Sequence, residues 1–168
     1  MTRIALISDN HSYAGADIID YLEEVDEVWH AGDIGKLSSI ETIRALKPFK
    51  AVYGNIDTVD VKQEFPLNQV WQCEDVKVFM THIGGYPGRY TRRVYDLLLE
   101  HKPKLYICGH SHICKVQYDQ KLELLYMNPG AYGYVGWHKV RTILRFTIDG
   151  ADIKDLEVVE LGTRWKNK

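Results

Sequence analysis

Cysteine is scarce in this chain of 168 residues: Cys73, Cys108 and Cys114 are odd in number and lack Cys-x-x-Cys spacing. That excludes a disulfide framework and a thiolate-rich structural zinc site. Cys108 ends the apolar run 105–108, the place of a buried, inert thiol. An excess of charge of either sign is also lacking. The 21 Lys and Arg residues against 23 Asp and Glu give a formal charge of −2, so nothing argues for duplex nucleic acid or an anionic membrane, while nucleotide-sized ligands stay open. No apolar stretch approaches the roughly 20 residues of a bilayer span, and Met1, Thr2 and Arg3 lead into a strand-like run rather than a signal peptide. The expectation is a cytoplasmic protein. Repeats, low-complexity tracts and linkers are absent as well.

What is present suits one globular domain. The apolar share of 45% and charged share of 26% are ordinary, and a chain of this length buries roughly 68–70% of its unfolded surface without staples. The expected domain spans residues 1–162, and residues 163–168 read as a basic, frayed tail.

The chain is organised around Asp9, Asn10 and His11, where the apolar run Ile4, Ala5, Leu6, Ile7 ends. Such a run reads as a buried strand, so a carboxylate and an imidazole emerge together at its carboxyl end. Hard oxygen beside borderline nitrogen suits Mn, Fe, Zn or Ni better than Ca or Mg. An amphipathic helix is expected over 15–25. A short strand over 25–30 then ends in Ala31, Gly32, Asp33.

Ser38 and Glu41 have capping-box spacing for the next helix, which Pro48 stops. A strand over 49–53 ends in Gly54, Asn55, Ile56, Asp57, and the polar connection to Asn68 is long. Strands over 70–73 and 76–80 flank a tight Glu74–Asp75 turn and deliver Thr81 and His82. A helix over 89–101 follows, then a strand over 104–108 that ends in Gly109, His110, Ser111, His112. Strands over 115–118 and 122–126, a loop rich in Gly and aromatics, and an antiparallel pair over 140–148 and 153–161 complete the chain. Helix-linked strands in the first half and hairpins in the second predict an α/β domain, two mixed β-sheets packed as a sandwich flanked by helices.

Five strand ends therefore carry metal-competent side chains: Asp9 with His11, Asp33, Asn55, His82, and His110 with His112. Strand carboxyl ends in α/β sheets share a ligand crevice. Seven candidate donors exceed the needs of one first-row ion and fit two ions sharing a bridging carboxylate roughly 3.5–4 Å apart.

Asp-x-His, Gly-Asp, Gly-Asn-x-Asp, His and Gly-His-x-His in this order resemble the calcineurin-like metallophosphoesterase family, particularly its small single-domain bacterial and archaeal members, which also resemble the retromer subunit Vps29. The resemblance covers nearly the whole chain. It implies the family's four-layer sandwich, with Asp9, His11 and His112 holding one divalent transition-metal ion, Asn55, His82 and His110 a second, and Asp33 bridging. Manganese is the leading candidate; iron, zinc and nickel suit the same donors. Two such ions would neutralise a phosphate's oxygens and activate water as hydroxide for in-line attack on phosphorus. The expected substrate is a small phosphodiester or other phosphate-containing molecule, a diester ahead of a monoester because it carries less charge into a site without a dedicated acid or obvious cationic clamp, and the rival is a Vps29-type protein-binding scaffold with a vestigial metal site.

The chain departs from the family pattern at Ile56, where a leaving-group-protonating His is usual, and after His82, where small relatives often show His-Gly-His. No catalytic acid is assigned. Asp57 is a candidate for structural support or proton handling, and Tyr86, Arg89 and Arg92 are open between phosphate contact and a solvated face. His30 reads as a structural hydrogen-bonder, His101 as a cation in a last helical turn, His138 as a surface residue, and Asn128 as a residue shaping a turn.

Overall fold

The apolar run before Asp9 forms β1 (Thr2–Ile7) in a computed structural model that describes residues 1–165. Ile4 and Leu6 point into the core between two sheets with Trp29, Met80, Ile107 and Phe146. Ala5 and Ile7 point outward against Ile18, Leu22 and Ile43. Burial on both faces explains why the run is continuous rather than alternating.

In the first sheet β1 pairs in parallel with β2 (Glu27–His30), which pairs in parallel with β3 (Phe49–Ala51). On its other side β1 pairs antiparallel with β9 (Val140–Asp149), and β10 (Asp152–Thr163) closes a hairpin on that strand. The second sheet contains β4 (Asn68–Cys73), β5 (Val76–Thr81), β6 (Leu105–Ile107), β7 (Cys114–Asp119) and β8 (Leu124–Pro129), in the order β4-β5-β6-β8-β7. Strands β5, β6 and β8 are mutually parallel. The Glu74–Asp75 hairpin and the terminal antiparallel pair are present as expected.

Helices cover the outer faces, so the expected sandwich is the observed one. α1 (Ile19–Leu22) and α2 (Glu41–Leu46) serve the first sheet, and α4 (Arg92–His101) lays Val94 and Leu98 on Phe79 and Tyr106 of the second. None of the helices among the described residues is long and apolar enough to cross a membrane.

Several expectations are corrected. The helix over 15–25 is a single 3-10 turn followed by the four-residue α1, because Asp26 accepts from the Arg3 backbone N–H at 2.7 Å and commits the chain to β2. Ser38 caps nothing: residues Leu37–Ile40 form a 3-10 turn, and Ser39 instead donates to the Lys36 carbonyl at 2.6 Å. The long connection after Asp57 holds α3 (Val59–Glu64), anchored by the buried Val61. The tail read from 163 begins inside β10, Arg164 Nε donates to the His138 carbonyl at 2.8 Å, and residues 166–168 lie outside the described part.

Candidate metal centre

The seven donors sit just beyond the carboxyl ends of β1, β2, β3, β5 and β6, and the structure brings all of them to one cleft. Five are held in left-handed backbone: Asp9 (φ 57°), His11 (φ 44°), Asp33 (φ 58°), His110 (φ 70°) and His112 (φ 60°). Each such non-glycine residue costs about 1–2 kcal/mol, and strain of this kind gathers where side chains must be aimed. Backbone bonds hold the turns: Asp9 N–H to Gly32 at 2.9 Å and His11 N–H to Asp33 at 3.1 Å. At Gly54 a Cβ would stand 2.0 Å from Asp33 Oδ1, so only glycine lets the Asn55 turn approach the Asp33 carboxylate.

The donors fall into two sets, Asp9 with His11 and His112, and Asp33 with His82 and His110; within each set the ligand atoms lie within 4.8 Å of one another. In the first, His112 Nε2 stands 3.1 Å and His11 Nε2 3.9 Å from Asp9 Oδ1. Asp33 Oδ2 lies between the sets, 3.5 Å from His11 Nε2 and 3.1 Å from His82 Nε2. Asn55 Oδ1 joins the second set, 3.1 Å from His110 Nδ1.

Whether these donors fit a cation is decided by which atoms already have partners. Asp9 Oδ2 accepts from Ser8 Oγ at 2.5 Å and from the His110 N–H at 3.1 Å, while Asp9 Oδ1 is buried with no hydrogen bond and faces only imidazole nitrogens. His11 Nε2 and His82 Nε2 are likewise buried without a hydrogen bond, facing the carboxylates. His82 Nδ1 donates to the Ala31 carbonyl at 2.7 Å, leaving a lone pair on the Nε2 that faces Asp33. Orphaned buried polar atoms are costly. Three of them, converging from the ends of β1 and β5, fit a cation.

His138 extends the same logic. Its Nε2 donates to the Gly133 carbonyl at 2.9 Å, so its Nδ1 accepts from His112 Nδ1–H at 3.1 Å, which bares His112 Nε2 toward Asp9. The expectation of a surface residue is therefore corrected. His138 is buried, and burial pushes its pKa down, which keeps the ring neutral and able to accept. Gly136 makes the contact possible: at φ 136°, it turns where a Cβ would stand 2.1 Å from His112 Nδ1.

Burial works to raise the pKa values of Asp9 and Asp33, but the facing imidazoles outweigh it and hold both carboxyls well below the usual range. Reciprocally, Asp33 and Asp9 raise His11 to about 9. A proton and a divalent ion compete for that nitrogen.

Asp57 is the bracket of the site. Its Oδ2 accepts from the Gly54 N–H at 2.6 Å and the Asp33 N–H at 3.1 Å, and its Oδ1 accepts from the Gly35 N–H at 2.7 Å. These bonds tie the Asp33 turn to the Asn55 turn, a structural role. His30 is buried, pushed down to about 3 by that burial, and bonds Asn10 Oδ1 at 2.9 Å and the Gly32 N–H at 3.0 Å, as its structural reading expects. Asn128 holds the Gly109 carbonyl at 2.9 Å and Ser111 Oγ at 3.1 Å.

At the mouth, Ile56 donates its N–H to Asp33 Oδ1 at 3.1 Å while its side chain faces the cleft, 42% exposed. Trp137, 99% exposed, stands on the same cleft. Arg92 is a solvated helix residue paired with Asp96, and Tyr86 carries Lys115 Nζ 4.0 Å over its ring. The sequence reading missed Ser8, Arg93, Trp137 and His138; only the Gly-rich, aromatic composition of the loop through Trp137 hinted at any of them.

The Calcineurin-like phosphoesterase superfamily domain matches residues 2–151. A probable metallophosphoesterase of Methanothermobacter thermautotrophicus is 27% identical over 164 residues, covering 95% of this chain and 92% of that protein. Among solved structures, a novel archaeal phosphodiesterase superposes with a TM-score of 0.73 at 22% identity, covering 94% of this chain and 99% of the other. Vps29 of Entamoeba histolytica in complex with zinc superposes with a TM-score of 0.70 at 17% identity, over 95% and 99% of the two chains.

Proposed function

The chain belongs to the calcineurin-like phosphoesterase superfamily, and from that premise we propose that it is a phosphodiesterase whose seven donors hold two divalent transition-metal ions, manganese first among them. The observation that carries this reading is the convergence of Asp9 Oδ1, His11 Nε2 and His82 Nε2, buried and without hydrogen bonds, beside the Asp33 carboxylate. Two bound ions supply charge neutralisation at the phosphate oxygens and acidify water for in-line displacement at phosphorus.

The chain's own residues set what can be displaced. Asn55 contributes a neutral oxygen, which limits negative charge near an anionic substrate. Ile56 contributes no proton where a departing oxygen would want one, a lack that typically costs 10²–10⁴-fold. Esters whose leaving group is stable as an anion are favoured. Arg93, a cation beside the centre, already donates to Asn68 Oδ1, Thr81 Oγ1 and the Ile83 carbonyl, so its guanidinium is not free to clamp the second charge of a monoester. A singly charged diester suits the cleft better.

The test is hydrolysis of bis(p-nitrophenyl) phosphate against p-nitrophenyl phosphate by metal-stripped protein titrated with Mn²⁺ or Ni²⁺. Metal-dependent turnover of the diester is expected to exceed that of the monoester, and Asn55→Ala or His110→Ala is expected to lower it by about 100-fold or more. Faster turnover of the monoester would overturn the diester preference. Undiminished turnover in both variants would overturn the two-ion site. Silence of the metal-loaded wild type would favour the Vps29-type scaffold.

A further inference from the structure

A second cavity of about 350 Å³ opens beside the centre and shares the Asn55 and His82 walls with it. We infer that this pocket, lined by Tyr53, Leu67, Ile83 and the pinned Arg93, receives an apolar, aryl-sized substituent of the phosphate ester, the one that does not leave. The inference rests on the phosphoesterase reading for its substrate and on the pocket alone for its chemistry.

The pocket's inner wall is the Gly54–Asn55 turn and His82, so a phosphate at the second donor set would have its substituent at the pocket mouth. Its remaining surface is almost wholly apolar. Leu67 and Ile83 keep about two-fifths of their surface open to solvent there, 42% and 39% respectively, and apolar exposure concentrated at a cavity marks a ligand surface better than the same residues scattered singly.

The cations at this pocket are not placed to grip phosphate. Arg93 spends its guanidinium on three acceptors, Asn68 Oδ1 at 2.7 Å, Thr81 Oγ1 at 3.0 Å and the Ile83 carbonyl at 3.1 Å, and so forms a fixed wall. Lys62 Nζ lies 5.8 Å from the Tyr53 ring centroid, a cation already settled on an aromatic face. A sugar or polyol entering here would give up water without regaining its hydrogen bonds. A flat apolar ring would lose nothing comparable, and the volume holds one ring system rather than a polymer.

The test varies only the retained group. Metal-loaded protein is given p-nitrophenyl phenyl phosphate and p-nitrophenyl methyl phosphate, which share a leaving group. Binding of phenylphosphonate and methylphosphonate, which cannot be hydrolysed, is measured in parallel by calorimetry. The phenyl compounds are expected to show a KM and a Kd lower on the order of tenfold. Leu67→Ser and Ile83→Ser, both partly exposed positions, are expected to bring both ratios near one.

Turnover of neither diester would sink the phosphodiesterase reading, and the phosphonate ratio would then decide the pocket by itself. Equal binding of the two phosphonates by the wild type would overturn the inference. So would a phenyl preference that survives both serine variants, or one abolished by Trp137→Ala instead, which would move the ring to the part of the cleft lined by Trp137.

Discussion

His138 shows how much one side chain outside the donor set can decide. It accepts from His112 Nδ1 and is itself fixed by the Gly133 carbonyl, so it sets the tautomer that points a bare His112 Nε2 at Asp9. Partners of this kind typically carry 10–100-fold in metal affinity. His138→Phe, which keeps the ring and removes the acceptor, is expected to weaken binding of the ion at Asp9, His11 and His112 by about that factor in a calorimetric titration. An unchanged affinity would make the contact incidental. Ile56 acts by what it lacks. Ile56→His places an imidazole at the cleft mouth and is expected to raise turnover of esters with poor leaving groups, by up to about 100-fold, while leaving p-nitrophenyl esters nearly unaffected. A plot of log kcat against leaving-group pKa should flatten in the variant; an unchanged slope would mean that position 56 does not reach the departing oxygen.

Elements fix those residues in place, and the buried Arg141 of β9 is the chief fastening. Its Nε donates to the Tyr132 carbonyl at 2.8 Å, its guanidinium pairs with Asp17 at 2.9 Å, and its carbon centre lies 4.1 Å from the Tyr134 ring centroid. The loops leading from His11 and toward His138 are thereby tied to one strand. Burial works to raise the Asp17 pKa, but Arg141 and Tyr13 outweigh it and the net shift is downward. A carboxyl depressed in the folded state contributes stability above its unfolded pKa and loses it as pH falls through the folded value. Asp17→Asn is therefore expected to cost about 1–2 kcal/mol at pH 7, a figure discounted because Asp17 is partly exposed. The gap from wild type, followed by urea unfolding, should close below about pH 4; a gap constant with pH would mean the pair contributes through shape alone.

At this scale the sequence was readable where elements are buried on two faces. The run Ile4–Ile7 and the glycine and polar residues after it marked a strand end and its donors, because burial and turn chemistry both act on adjacent residues. α3 was not readable, since Val61 is its one buried residue and a single apolar position makes no period. The length of α1 was set by Asp26 binding back to Arg3, 23 residues away in sequence, and the role of His138 by a loop folding back on a residue 26 positions earlier. Neither leaves a local pattern.

For the whole molecule, two parallel strand sets packed face to face bring five turns to one edge, and only that assembly makes a centre from residues spread between Asp9 and His112. Motif order showed the donors without showing their partners. The structure adds which oxygen of Asp9 is already occupied, which nitrogen of His82 is bare, and that Asp33 Oδ2 stands between both histidine sets. The same edge carries the apolar walls of Ile56, Trp137, Leu67 and Ile83, so the cleft joins a charged floor to apolar sides. That combination is what the proposed substrate, a singly charged ester with an apolar group, would meet.

The most direct measurement of the central claim is the number of divalent ions held per chain, counted by elemental analysis after equilibration with Mn²⁺ and gel filtration, in the wild type and in Asp33→Asn and His110→Ala. Two ions in the wild type, with one or none in Asp33→Asn and one in His110→Ala, is the expected result. A single ion in the wild type, or two retained in both variants, would contradict a pair of ions sharing Asp33.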